Sequence, residues 1–134
     1  MMTDVQSISA VAFPAMEAYL KKTGFEGVAL VAVADADDLT SLDLKMKSFG
    51  HTSSIEADGS GYNFRSIVCG KLAEALETGT DSGELTRPLI TGEYGWKGAV
   101  STVRDGKKII VSFSGATEDE DLNTAKCGME AVLK

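Results

Sequence analysis

The sequence predicts an α+β fold, a sandwich with a central, mainly antiparallel sheet and helices on its faces. Three observations predict it. Val28 to Val33 is a short, nearly unbroken apolar run rich in β-branched residues, as in a strand covered on both faces. Two further β-rich runs flank Asp105-Gly106, a strong tight-hairpin signal because glycine accepts a positive φ at little cost. Segments with helical apolar spacing are interleaved with these strands, and hairpins among helices require an antiparallel rather than a parallel sheet.

In order along the chain, Val5, Ile8, Ala12, Ala15, Met16, Tyr19 and Leu20 define an amphipathic helix ended by Gly24. Pro14 either opens that helix proper or kinks an earlier turn. The apolar run from Gly27 to Ala34 is the central strand. Asp35-Ala36-Asp37-Asp38 is a polar turn, and Leu39, Leu42, Leu44 and Met46 mark a strand returning antiparallel. Phe49 to Gly61 reads as a loop without periodicity. A helix from Tyr62 to Leu76 buries Phe64, Ile67, Val68, Leu72, Ala75 and Leu76, with Arg65, Lys71 and Glu74 projecting elsewhere. Thr78 to Pro88 is expected to be exposed and flexible. After the Asp105-Gly106 hairpin, Thr117 and Glu120 have capping-box spacing, and a last helix runs to Lys134. This order matches a profilin-like sandwich, expected to form one domain over residues 1–134.

Composition narrows the function. The net charge of −7 disfavours binding to nucleic acid or an anionic membrane surface, both of which call on basic faces. No run approaches a membrane span. The start, Met1-Met2-Thr3-Asp4, has neither the charge nor the apolar core of a secretory leader, so the expected location is cytoplasmic. Cys69 and Cys127 are expected to be inert buried thiols, lacking a partner spacing that would activate them.

Chemistry-bearing patterns are sparse. Asp35-Ala36-Asp37 after a buried strand has the spacing of an aspartyl phosphatase opening, but the topology favours a solvated turn. His51 is the single histidine, which excludes a multi-histidine metal site. Gly92, Gly95 and Gly98 lack the lysine-hydroxyl pair of a phosphate loop and lead into a strand. No acid, base and nucleophile converge, so catalysis is not expected. Met46, Phe49, His51, Tyr94 and Trp96 are the candidate lining of a ligand pocket between the sheet and the Phe49 to Gly61 loop. Tyr94 and Trp96 are the strongest of these, each with an apolar body and a polar tip.

Val111-Ser112-Phe113-Ser114-Gly115, followed by Thr117, Asp121, Ala125 and Gly128, resembles the ending of the GlcG/HbpS-like family, also called the haem-degrading domain family, which includes the C-terminal domain of PduO-type proteins. Val31-Ala32-Val33-Ala34-Asp35 resembles that family's first strand. The resemblance implies a small-ligand-binding module without established catalysis, with haem or another tetrapyrrole as the candidate ligand. The alternative is a non-catalytic scaffold of the roadblock type, and in either case a homo-oligomer is expected.

Overall fold

The structure is a computed structural model that describes residues 3–134; the first two residues of the N-terminal stretch read for a leader lie outside it. Helix α1 (Val5–Thr23) leads into β1 (Gly27–Asp35) and β2 (Asp38–Phe49). A small hairpin, β3 (Ser53–Ile55) and β4 (Gly61–Asn63), precedes α2 (Phe64–Thr78). Strands β5 (Ala99–Arg104) and β6 (Lys107–Ser114) and helix α3 (Glu118–Leu133) complete the order. Among the described residues, no helix is long and apolar enough to cross a membrane.

The main sheet has the order β2-β1-β6-β5, and every neighbouring pair is antiparallel. Alternation along β1 sends Ala29, Val31 and Val33 into a core beneath α1 and α3. Val28, Leu30 and Ala32 enter a second core beneath α2. This double coverage explains why β1 reads as a continuous apolar run. At the β5–β6 turn, Asp105 and Gly106 both have positive φ, 53° and 75°, as a tight hairpin of this twist demands.

Several expectations are refined. Helix α1 begins at Val5, capped by Asp4, whose side chain accepts from the Ser7 N–H at 2.8 Å. Pro14 lies inside it, where it is tolerated because both Pro14 and Ala10, whose carbonyl loses its usual partner, face solvent. Tyr62 belongs to β4, and α2 starts two residues later because Asn63 caps it through the Ser66 N–H. The loop expected over Phe49 to Gly61 begins at the last residue of β2 and includes β3 and the first residue of β4, short strands that carry no apolar alternation. Thr117 caps α3 by accepting from the Glu120 N–H at 3.3 Å. The Glu120 carboxylate does not reach back to complete the capping box; it accepts from the Tyr19 hydroxyl at 2.9 Å instead.

Part of the segment expected to be exposed and flexible, residues 81–82, is fastened to the sheet, while 84–86 and Pro88 are exposed as expected. The Ser82 N–H donates to the Ala99 carbonyl, the Ala99 N–H donates to Ser82 Oγ, and the Ser101 N–H donates to Asp81 Oδ1, each at 3.0 Å. Residues 81–82 thereby cover the first part of the outer edge of β5. The thiols also depart from expectation: Cys69 is exposed and Cys127 half-buried. Partial desolvation pushes both thiols above the ordinary cysteine range, so neither is an activated thiolate.

Candidate functional site

Ile67, Lys71 and Glu74 lie on one stripe of α2, and this stripe meets the end of β6 and the segment leading into β5. Lys71 and Glu74 are 1% and 3% exposed, correcting the expectation that they project away from the core. The Lys71 ammonium reaches past the end of β6, donating to the Phe113 carbonyl at 2.9 Å and to Asp121 Oδ2 at 2.7 Å. The other Asp121 oxygen accepts from the Ala116 N–H at 2.8 Å. Helix α2 is thus joined to the first turn of α3 on the opposite face of the sheet. Desolvation pushes the Lys71 pKa down and the Asp121 pKa up, while their mutual attraction opposes both shifts. The short contact and the two additional hydrogen bonds favour the charged pair.

Gly98 makes this crossing sterically feasible. A Cβ there would lie 2.6 Å from Lys71 Nζ and 2.6 Å from the Phe113 oxygen, and its φ of 140° is itself a conformation for glycine.

Glu74 organises the neighbouring segment. Its carboxylate accepts from the Gly83 N–H at 2.7 Å and from the Gly95 N–H at 2.9 Å, holding two points of the chain that presents Tyr94 and Trp96. Arg87 and Glu93 add a two-pronged ion pair, both contacts at 2.7 Å. Hydrogen bonding to Arg87, assisted by the Ile90 N–H, lowers the Glu93 pKa to about 2. Gly70 on α2 leaves room for the Tyr94 ring, which would lie 2.6 Å from an added Cβ.

These supports produce an aromatic cluster. Tyr94 stacks on Trp96 with centroids 4.9 Å apart, and Tyr62 meets Trp96 edge-on at 6.2 Å. Beside it lies a cavity of about 220 Å³. Tyr62, Phe64, Ile67 and Trp96 form its apolar wall, and Lys71, Asp121, Glu118 and Ser114 its polar side. No buried side-chain polar atom among the described residues lacks a hydrogen-bond partner. The Lys71–Asp121 part of the polar side is already satisfied by its own hydrogen bonds.

Of the five residues nominated from sequence, Tyr94 and Trp96 come together and Trp96 lines this cavity. Met46 is half-buried in β2, with its sulfur 3.4 Å from an Arg65 nitrogen, and packs against the core beneath α2. Phe49 packs edge-on against Phe13 at 6.3 Å, on the α1 side of the sheet. The His51 side chain is 77% exposed, with Nδ1 3.4 Å from Glu26. Met46, Phe49 and His51 do not line the cavity beside Trp96. Sequence reasoning missed Tyr62, Lys71, Glu74 and the buried role of Asp121.

No family model matches the chain, and no curated protein matches it in sequence. Solved structures do match in fold. The chain is similar to ORFY of Klebsiella pneumoniae, described under the family model DUF336, with 13% identity over 99% of this chain and 92% of that one, and a TM-score of 0.66. It is similar to PduOC in a complex with haem, with 13% identity, coverage of 97% and 95%, and a TM-score of 0.68. It is also similar to a double mutant of HbpS from Streptomyces reticuli, with 18% identity, coverage of 97% and 87%, and a TM-score of 0.57. At these identities the likeness establishes the α+β fold, and it is shared with the proteins that the C-terminal run of the sequence resembles.

Proposed function

We propose that this chain is a small-ligand-binding module whose recognition site is the cavity beside Trp96. The observation that carries this reading is an aromatic wall set beside the hydrogen-bonded Lys71–Asp121 pair. A flat apolar body would stack on the wall while a polar group faced the Lys71–Asp121 pair. The reading is non-catalytic: Lys71 and Asp121 are committed to each other and to backbone groups, leaving neither poised as a nucleophile or base.

The haem in the PduOC complex makes a tetrapyrrole the natural ligand to test against these residues. The lining does not fit haem ligated by histidine, cysteine or methionine, none of which it contains; its one residue of a haem-ligating type is Tyr62, whose ring is edge-on to Trp96, and His51 lies outside beside Glu26. The volume of about 220 Å³ falls below the roughly 300–1,000 Å³ of pockets that enclose drug-sized ligands. With Lys71 balancing Asp121, Glu118 leaves the polar side net negative, which further opposes an anionic ligand.

Two titrations test the reading. Phenol, as a compact aromatic probe followed by saturation-transfer NMR, is expected to bind the protein and to bind Trp96→Ala about tenfold more weakly, the scale of a lost aromatic contact. Equal binding to both proteins would remove the cavity as the site. Haemin followed by absorbance is expected to give no saturable Soret shift that depends on His51. A tight one-to-one shift abolished in His51→Ala would replace this reading with axial haem ligation.

A further inference from the structure

The two edges of the main sheet are finished differently. The first part of the outer edge of β5, Ala99 to Ser101, is covered by residues 81–82 through three hydrogen bonds. Among the described residues, no backbone hydrogen bond covers the outer edge of β2, although β2 is the longest strand and mostly exposed. A long open edge is a template for another strand.

Hydrogen-bond alternation identifies the groups β2 presents. The Phe113 N–H donates to Gly98, so the odd-numbered residues of β6 turn toward β5 and the even-numbered ones toward β1. Through the pairs Leu30↔Ser112 and Val31↔Lys45, the even-numbered residues of β1 turn toward β6 and its odd-numbered residues toward β2. In the regular part of β2, Asp43, Lys45 and Lys47 therefore bond to β1, while Leu44, Met46 and Ser48 direct their N–H and carbonyl groups outward.

We infer that this edge pairs with the same edge of a second copy, antiparallel, in a register that places Leu44 opposite Leu44 of the other copy. The local sequence is self-complementary in that register. Asp43 faces Lys45 of the second copy, Lys45 faces its Asp43, and half-buried Leu42 and Met46 are matched across the axis. Leu44, 52% exposed in the isolated chain, lies at the centre of the contact. Shifting the centre to Asp43 or Lys45 opposes like charges, and centring on Met46 places Lys45 against Lys47. The charges that guard the edge against arbitrary strands thus admit this pairing and oppose the registers centred on Asp43, Lys45 and Met46. Two outward-bonding Leu44 residues at the axis also form a reciprocal hydrogen-bonded pair. The product is an eight-stranded sheet built from the two four-stranded ones.

Sedimentation equilibrium of the full chain at low salt tests the pairing. Wild type is expected to dimerise, and Asp43→Lys and Lys45→Asp are each expected to weaken the dimer about tenfold or more, since each replaces two symmetric attractions by repulsions. The double variant Asp43→Lys/Lys45→Asp restores opposite charges and is expected to recover the wild-type constant. Circular dichroism of each variant establishes that the fold is retained; should either single variant fail to fold, the folded double variant is compared with Leu44→Lys, which places two lysines at the axis and is expected to be monomeric. A monomeric wild type overturns the inference, as does a dimer indifferent to these charges.

Discussion

Lys71 sits on the buried face of α2: of its helical neighbours at three- and four-residue spacing, Ile67, Val68 and Ala75 are apolar and Glu74 is charged, and all four are buried. That surrounding was the available signal that this lysine is buried, but a helical pattern cannot supply its partner, because Asp121 reaches it from the far side of the sheet. Asp121 is similarly legible as an acid suited to a helix start, and its second role appears only when β6 ends beneath it. Lys71→Met should strand a buried carboxylate and cost about 3–5 kcal/mol in urea unfolding. Lys71→Met/Asp121→Asn removes the stranded charge while keeping an acceptor for Ala116, and should recover at least about half of that loss. Glu93 gives the corresponding pH test. Its pKa falls from 4.5 to about 2 on folding, so its stabilising contribution is complete above 4.5 and disappears as pH falls toward 2. Unfolding monitored between pH 6 and 2 should show this decline, and Glu93→Gln should remove that part of it.

The elements themselves were readable wherever burial is regular. The double-sided burial of β1, the Asp105-Gly106 turn and the Thr117 cap each rest on a local rule that the structure keeps. The β3–β4 hairpin was not readable, since strands of three residues, Ser-Ser-Ile and Gly-Tyr-Asn, are too short to show a periodicity. The covering of β5 was hidden for a different reason: Asp81 and Ser82 look like loop residues and act through hydrogen bonds to a strand nearly twenty positions away. Gly128 illustrates a local rule overridden by packing. Alanine would favour helix α3 by about 1 kcal/mol. Its Cβ would also meet the Met16 side chain at 2.9 Å and Val111 at 3.2 Å, both in the core between α1, α3 and the sheet. Overpacking costs about 1–3 kcal/mol, so Gly128→Ala should lower stability by about 1 kcal/mol, as measured by thermal unfolding.

At the scale of the molecule, the aromatic cluster and the buried ion pair form one assembly. Glu74 ties the segment carrying Tyr94 and Trp96 to α2, Lys71 ties α2 to α3, and Gly98 provides the space in which they meet. The sequence made Trp96 and Tyr94 visible but separated them from Met46, Phe49 and His51 only once the sheet assigned those three residues to other surroundings. Gly98→Ala should therefore affect both parts, lowering stability by about 2 kcal/mol or more and altering the near-ultraviolet signal of Trp96. The strand order has a further consequence for synthesis. Strand β1 forms its hairpin with β2 early, but its other neighbour, β6, follows the whole of α2 and β5. A nascent chain released before β6 emerges would expose one side of its most apolar strand to solvent and to other chains. Ribosome-bound intermediates should consequently remain protease-sensitive until β6 has left the exit tunnel, then become protected in a single late step.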